Sequence, residues 1–556
     1  MPLFRGWIYV IALVLAVALI YGQFLWNPIV FDDLWYFMAG SDLLDNFTHS
    51  FSLFEIRWLP YATIAWTKRI FGTDLIWFRL ESLLLHASVG VTLFVFLRRL
   101  YQQTFALRID EVNKQPWLAG AFIAALLFVM HPVAVYGAGY LIQRTIVMAT
   151  LFSLLALTAY MKGLEQDSRP WLWASVAFYF LAVLSKEHAI MLPAVMLAIT
   201  IVVAGTGKAL FHRLWPIYLG CVMVAIFVLS QQMALMGTAY EIYAPQMLEQ
   251  AAGDGINSGG GEHNHLLSIL TQCALFFKYL GLWLLPNPDW MSVDMRESFA
   301  RGLLSPYLIA VVGFLAYGGI ALRLLFKRGR HGLAGLALLF PWLLFFTEFS
   351  VIRIQEPFVL YRSYLWMPGI FIALPLLTMR LKPRIAIISG VIFAVLLALV
   401  ATDRLRTFSH PLLLWDDAEK LVHDKQELPG VDRIYGNRAK HLDEVKRYPD
   451  AIADYQTALK LRPNFANHYQ GMGISYLNMG EATKAIEAFS KAIEIEPGNV
   501  KSYFGRGLAN DGLGNKMAAL ADFKKSCELG RQSGCAKAQQ LTGGNASALH
   551  VPLQSP

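Results

Sequence analysis

Charge is scarce in this chain of 556 residues: 47 Lys and Arg with 39 Asp and Glu make 15% of it, where soluble domains average about 25%. With 56% hydrophobic residues and a mean hydropathy of +0.46, an ordinary water-soluble globule is excluded. The deficit is uneven. Residues 1–402 carry 27 basic and 21 acidic residues, a net +6, while residues 403–556 carry 20 and 18, a net +2. The first part is composed for lipid and the second for water. No Lys/Arg cluster lies on an amphipathic face, so nucleic acid is excluded as a partner. The apolar run after Arg5 ends at Trp26-Asn27-Pro28 with no small-residue cleavage site, so it is expected to be a retained helix and not a signal peptide.

A bilayer core about 30 Å thick needs about 20 apolar helical residues. Eleven runs meet that need: 7–25, 77–97, 117–136, 145–161, 171–185, 189–205, 214–232, 303–325, 332–347, 364–379 and 385–402. Placing the N-terminus in the cytoplasm makes every short cytoplasmic loop basic: Arg98, Arg99, Arg108 and Lys114; Lys162 and Arg169; Lys208 and Arg213; Lys327, Arg328 and Arg330; Arg380, Lys382 and Arg384. Large loops, 26–76 and 233–302, then face outward. The run 264–286 is apolar enough to span, but a crossing there would reverse the basic loops that follow. It is expected to be partly buried or re-entrant. The odd number of spans puts the tail outside a bacterial inner membrane or inside an endoplasmic reticulum lumen.

The tail repeats with a period of 34 over residues 432–465, 466–499 and 500–533, after a linker at 403–431. Tyr435, Tyr469 and Tyr503 recur at one position, Ala451, Ala485 and Ala519 at another, and Tyr455, Phe489 and Phe523 at a third. Small residues let paired helices approach while aromatics fill the gaps, the pattern of a tetratricopeptide array. Residues 534–556 are expected to add a capping helix and a disordered tail. Such an array offers a surface for a protein or peptide; it can also be a stabilising appendage or a dimer contact. The predicted fold class is therefore all-α: a polytopic membrane helical bundle of about eleven spans followed by a soluble α-solenoid.

Cys221 and Cys273 sit in apolar runs as inert core residues. Cys527 and Cys535, eight apart in KSCELGRQSGC, resemble the cysteine-bridged helical repeats of secreted bacterial proteins. That implies a disulfide in an extracytoplasmic tail, with two free thiols as the alternative.

Ionisable side chains near spans are costly and mark function unless they snorkel. Those left over fall on the outer face: Asp32 and Asp33, Glu55 and Arg57, His131 and Arg144, Lys186, Glu187 and His188, His263 and His265, Asp289 and Asp294, and Glu348, Arg353, Glu356 and Arg362. A pore would spread them through the bilayer, and a transporter would show inverted repeats with broken midplane helices, which are not found. Asp32-Asp33 can supply a general base, hold a divalent cation such as Mg or Mn, or simply cap a helix. Arg144 and Lys186 suit phosphate. Lys186-Glu187 can equally be a local ion pair, and His131-Pro132 a helix terminator.

In this order the segments resemble the GT-C superfamily of polyprenol-phosphate-sugar glycosyltransferases. The resemblance is strongest to its branch with tetratricopeptide repeats, the transmembrane-and-tetratricopeptide O-mannosyltransferases, and extends to bacterial protein O-glycosyltransferases. It rests on VFDD after the first span, HPV with an Arg further on, SKEHAI, WLLPNPDWMSVD, RSYLWMP and Trp415-Asp416. It implies transfer of a sugar from a polyprenyl-phosphate carrier to a hydroxyl at the outer face, in contact with membrane lipids. Asp33 or Asp32 would be the base or metal ligand, and Arg144, Lys186 and Arg362 would bind the donor phosphate. Glu187, His131, Glu55, Arg57 and His188 are further site candidates. The acceptor is expected to be Ser/Thr hydroxyls of an extracytoplasmic protein bound or presented by the repeats. The alternatives are a lipid or envelope-glycan acceptor, or a non-enzymatic membrane-anchored scaffold.

Overall fold

The computed structural model describes residues 3–31, 33, 37, 55–105, 116–241, 244–245, 247–248, 261–303 and 305–543. Contacts divide the chain into two compact units, Met1–His410 and Pro411–Pro556.

Among the described residues the first unit has no strand, only an isolated antiparallel bridge between Met295 and Phe358. Its main helices are α1 Leu3–Tyr21, α2 Trp58–Phe71, α3 Leu75–Thr104, α4 Pro116–Val129, α5 Arg144–Glu165 and α6 Arg169–Ser185. They continue as α7 Leu192–Val203, α8 Lys208–Gln232, α9 Gly261–Leu284, α10 Tyr307–Phe326, α11 Gly329–Phe345 and α12 Pro383–Thr407, with a broken helical run Leu360–Thr378 before α12. Among the described residues nine helices are long and apolar enough to cross a membrane, or ten if α4 and Pro132–Ala138 count as one span bent by 51°. Helix α6 and the apolar segment Glu187–Val203 have 17 residues each, at the lower limit of about 17 for a span.

Contacts sort the helix ends into two sets. At one end Arg98 lies against Gly6, Arg99 bonds Glu165, Arg213 bonds the Gly163 carbonyl and Arg328 packs on Gly205. This is the end with the basic loops. At the other, Asn27 Nδ2 donates to the Leu405 carbonyl, the Arg57 N–H to Leu184 and the Gly237 N–H to Ser350. Exposed tryptophans mark both: Trp26, Trp66, Trp77 and Trp290 toward the second end, Trp7, Trp171, Trp173 and Trp215 toward the basic one. Amphipathic rings collect at such depths at the two faces of a bilayer.

Helix α9 passes the length and apolarity test, yet both of its ends lie at the second end. His265 near its start bonds the Phe349 carbonyl, Gln272 that of Pro357 and Tyr279 that of Val359. Trp283, near its finish, bonds Ser363, and its carbonyl meets His131 Nε2. Arg404, close to the end of α12, then holds the carbonyls of Pro288 and Met291. A helix that runs alongside residues 349–363 leaves where it started. Among the described residues, eight helices that pass the length and apolarity test remain without α9, or nine with the bent pair counted.

In the second unit, α13 Pro411–Val422 precedes three helix pairs: α14 Val431–Glu444 with α15 Tyr448–Leu461, α16 Ala466–Asn478 with α17 Ala482–Ile495, and α18 Val500–Gly512 with α19 Lys516–Glu528. Helix α20 Gln532–Thr542 follows. The recurring alanines Ala451, Ala485 and Ala519 are fully buried. Each recurring aromatic fills space that a glycine leaves open. A Cβ on Gly471 would meet Tyr455, one on Gly473 or Gly505 would meet Phe489, and one on Gly507 would meet Phe523. Helix α13, from the stretch assigned to the linker, buries Leu414, Trp415 and Ala418, and Arg438 ties its Glu419 (2.8 Å) to Asp454 of α15 (2.7 Å). The Cys527 and Cys535 sulfurs are bonded, joining α19 to α20.

Candidate active site

The outer-face candidates gather into two groups. In the first, the fully buried Asp33 accepts the backbone N–H groups of Leu141 (3.3 Å) and Ile142 (2.8 Å). These amides open the turn Leu141–Gln143 that starts α5, where helical N–H groups lack intrahelical partners. Arg144, the first residue of α5, feels the Asp33 charge. Its own hydrogen bonds go elsewhere: Nη1 donates to Glu81 Oε2 (2.7 Å) and Thr63 Oγ1 (3.2 Å), and Nη2 to the Phe78 carbonyl (3.1 Å). Thr67 also bonds that Glu81 oxygen, at 2.6 Å.

The second group surrounds the turn between α6 and α7. Arg57 donates two hydrogen bonds to Glu187, one from Nε at 3.0 Å and one from Nη2. His188 lies 3.4 Å from Glu187 and 3.1 Å from the fully buried Glu348. Glu348 also pairs with Arg362 (3.2 Å) and Arg353 (3.5 Å), and Glu356 and Glu241 each stand 3.8 Å from one of these arginines. Burial, then the Glu356 charge, raises the pKa of Glu241.

Lys186 differs from its neighbours. It is 7% exposed, and among the described residues its ammonium has no hydrogen-bond or ion-pair partner; the Tyr361 ring centroid is 5.8 Å away. Burial, and after it the Arg57 charge, lowers its pKa from 10.5 to about 7. A buried cation without a paired counter-ion is costly.

Helix α2 joins the groups. Arg57 is its N-cap, and Thr63 and Thr67 reach Arg144 and Glu81. Six residues from Arg57 to Thr63 correspond to about 9 Å along a helix. The structure thus brings Asp33 to Arg144, and Lys186 to Arg57, Glu187, His188 and Arg362, as two neighbouring sets. Other candidates lie apart. His131 caps the turn Pro132–Ala134 through Nδ1 and bonds the Trp283 carbonyl through Nε2, both ring nitrogens being engaged in the backbone. Glu55 is exposed, and Asp32 lies outside the described residues. Arg79 and Glu81 do not stand out in the sequence, because two opposite charges near the end of a long apolar run read as snorkelling there.

Both Asp33 oxygens accept amide N–H groups, and among the described residues no three His, Cys, Asp or Glu side chains converge as metal ligands.

A family model of the TPR repeat matches residues 445–480, and one of the tetratricopeptide repeat matches residues 468–499. The tail is a tetratricopeptide array. The chain is 24% identical to Protein O-mannosyl-transferase TMTC1 of Homo sapiens, over 84% of this chain and 56% of that protein. It is 34% identical to the Hsp70-Hsp90 organizing protein of Triticum aestivum over 11% of this chain and 10% of that one. It therefore spans about half and about a tenth of the length of these curated relatives. Similar solved structures include a crystal structure of MamA, 29% identical over 24% of this chain and 76% of that one, with a TM-score of 0.21. Another is the Arabidopsis OM64 TPR domain, 23% identical over 21% of this chain and 97% of that one, with a TM-score of 0.20.

Proposed function

We propose that the chain is a membrane glycosyltransferase of the GT-C type. It moves a sugar from a polyprenyl-phosphate donor to Ser/Thr hydroxyls of an extracytoplasmic protein held by the repeats. The observation that carries this reading is the buried Lys186 ammonium, which among the described residues has no hydrogen-bond or ion-pair partner, beside arginines that each have a carboxylate. A donor phosphodiester seated there gains one uncompensated positive charge, and Arg362 adds field without leaving Glu348. The low identity to TMTC1 over most of the chain supports the reaction class.

The acceptor oxygen would attack the anomeric carbon as the bond from that carbon to the phosphate oxygen breaks. The hydroxyl proton passes to a carboxylate of the Asp32-Asp33 pair. Lys186 stabilises the charge growing on the departing phosphate. Arg144, held by Glu81, acts beside Asp33. The basic end faces the cytoplasm by the rule for short loops, so the two groups and the tail are exofacial, across a bacterial inner membrane in the periplasm.

Purified protein in lipid would be given polyprenyl-phosphate hexoses and a Ser/Thr-rich polypeptide. Sugar transfer that K186A abolishes supports the reading; no transfer from any such donor overturns it. Removal of residues 411–556 should stop transfer to protein, and unchanged transfer would take the repeats out of acceptor binding.

A further inference from the structure

Arg79 lies in the second turn of α3 and is 7% exposed. Its Nε donates to the Asn27 carbonyl at 2.8 Å and its Nη2 to the Pro28 carbonyl at 2.5 Å, both on the segment that leads to Asp33. Its Nη1 donates to the Gly139 carbonyl at 3.1 Å, two residues before the amides that bind the Asp33 carboxylate. The Asp33 charge acts on Arg79 as well as on Arg144. Carbonyls in these turns have no helical partners, and a planar guanidinium satisfies three of them at fixed angles.

We propose that Arg79 is a positioning residue for Asp33, fastening the segment that carries this carboxylate to the segment that receives it. The proposal rests on the reading of the aspartate pair as the proton acceptor. Arg79 touches no reacting atom; it fixes the backbone segment that leads to the carboxylate and the one that receives it. Displacement by an ångström at such a point costs roughly 10²-fold in turnover.

The test uses the full-length chain in lipid nanodiscs, with R79Q and R79K. Hydrogen exchange at the Leu141 and Ile142 amides reads the hold on Asp33 without any need for activity. In R79Q these amides should exchange faster while those of α5 beyond its first turn and of the repeats keep wild-type protection. The kcat should fall roughly 10²-fold with the donor KM unchanged. R79K, which keeps the charge but not the fork, should lie between. Wild-type exchange at 141–142 in R79Q overturns the proposal, as does an equal loss of protection throughout the bundle. If R79Q does not accumulate in membranes, R79K carries both readouts. Should D32N and D33N both retain full turnover while R79Q loosens the two amides, the hold on Asp33 stands and the base role falls.

Discussion

Arg57 and Glu187 form a two-pronged ion pair from a left-handed backbone conformation at Arg57, φ +65°. The Arg57 N–H bonds the Leu184 carbonyl, so backbone and side chain both lock α2 to the turn that carries Lys186. Non-glycine residues hold such a conformation only where their surroundings enforce it.

That pair keeps Glu187 from neutralising Lys186. In R57G, which suits the backbone but has no side chain, Glu187 is released toward the ammonium beside it. The donor KM should then rise about tenfold, equivalent to about 1.4 kcal/mol, with a smaller change in kcat. R57K, unable to make both bonds, should fall between. A fall in kcat with the donor KM unchanged would show that the pair does not tune the anion site.

Lys186 gives the site a pH dependence of known sign. Its pKa is lowered to about 7 in the folded chain, so the ammonium is progressively lost as pH rises past that value. An anion binds the protonated form, so the donor KM should climb between pH 6 and pH 9, by up to about tenfold per unit above the pKa. K186A should have a high and flat KM. Donor binding independent of pH in the wild type would remove Lys186 from the anion site.

Apolar runs foretell spans because lipid forces the backbone to satisfy itself, so each long run must be a helix whatever it packs against. The 34-residue period foretells the array for a related reason, since each aromatic needs its glycine at a fixed offset. Helix α9 is apolar enough to cross, and in the sequence only the charge of the loops on either side argues against a crossing there. Partnership is harder to see. Arg144 and Lys186 look equivalent on paper, yet Glu81 of α3 pairs with one and no described carboxylate pairs with the other. Which acid meets which base is set by helices far apart in sequence. His131 illustrates the converse: beside a proline and near a candidate arginine, it caps a turn and stacks on Trp283.

Lys446 stands where the other two repeats have Gly480 and Gly514, and all three have positive φ, +63°, +80° and +80°. A side chain there costs about 1 kcal/mol, part of which glycine returns through its freer unfolded state. K446G should therefore raise the urea midpoint of the soluble fragment 411–543, by up to about 1 kcal/mol in stability. An unchanged or lower midpoint would mean that the Lys446 side chain makes compensating contacts.

The Cys527–Cys535 bond closes a short loop between α19 and α20, and α20 covers Phe523 and Ala519 with Ala538 and Leu541. A solenoid needs a cap at its open end because the last repeat has no neighbour to bury its apolar face. Removing the cross-link by C527S/C535S frees the unfolded chain and should cost about 2–3 kcal/mol. Because contacts in such arrays are local, the loss should appear first at the end: α20 and α19 should gain hydrogen exchange while α14 and α15 keep theirs. Uniform loosening of all three repeats would show that the array unfolds as one unit. If α20 stays protected in the double variant, burial of Ala538 and Leu541 is enough to hold the cap.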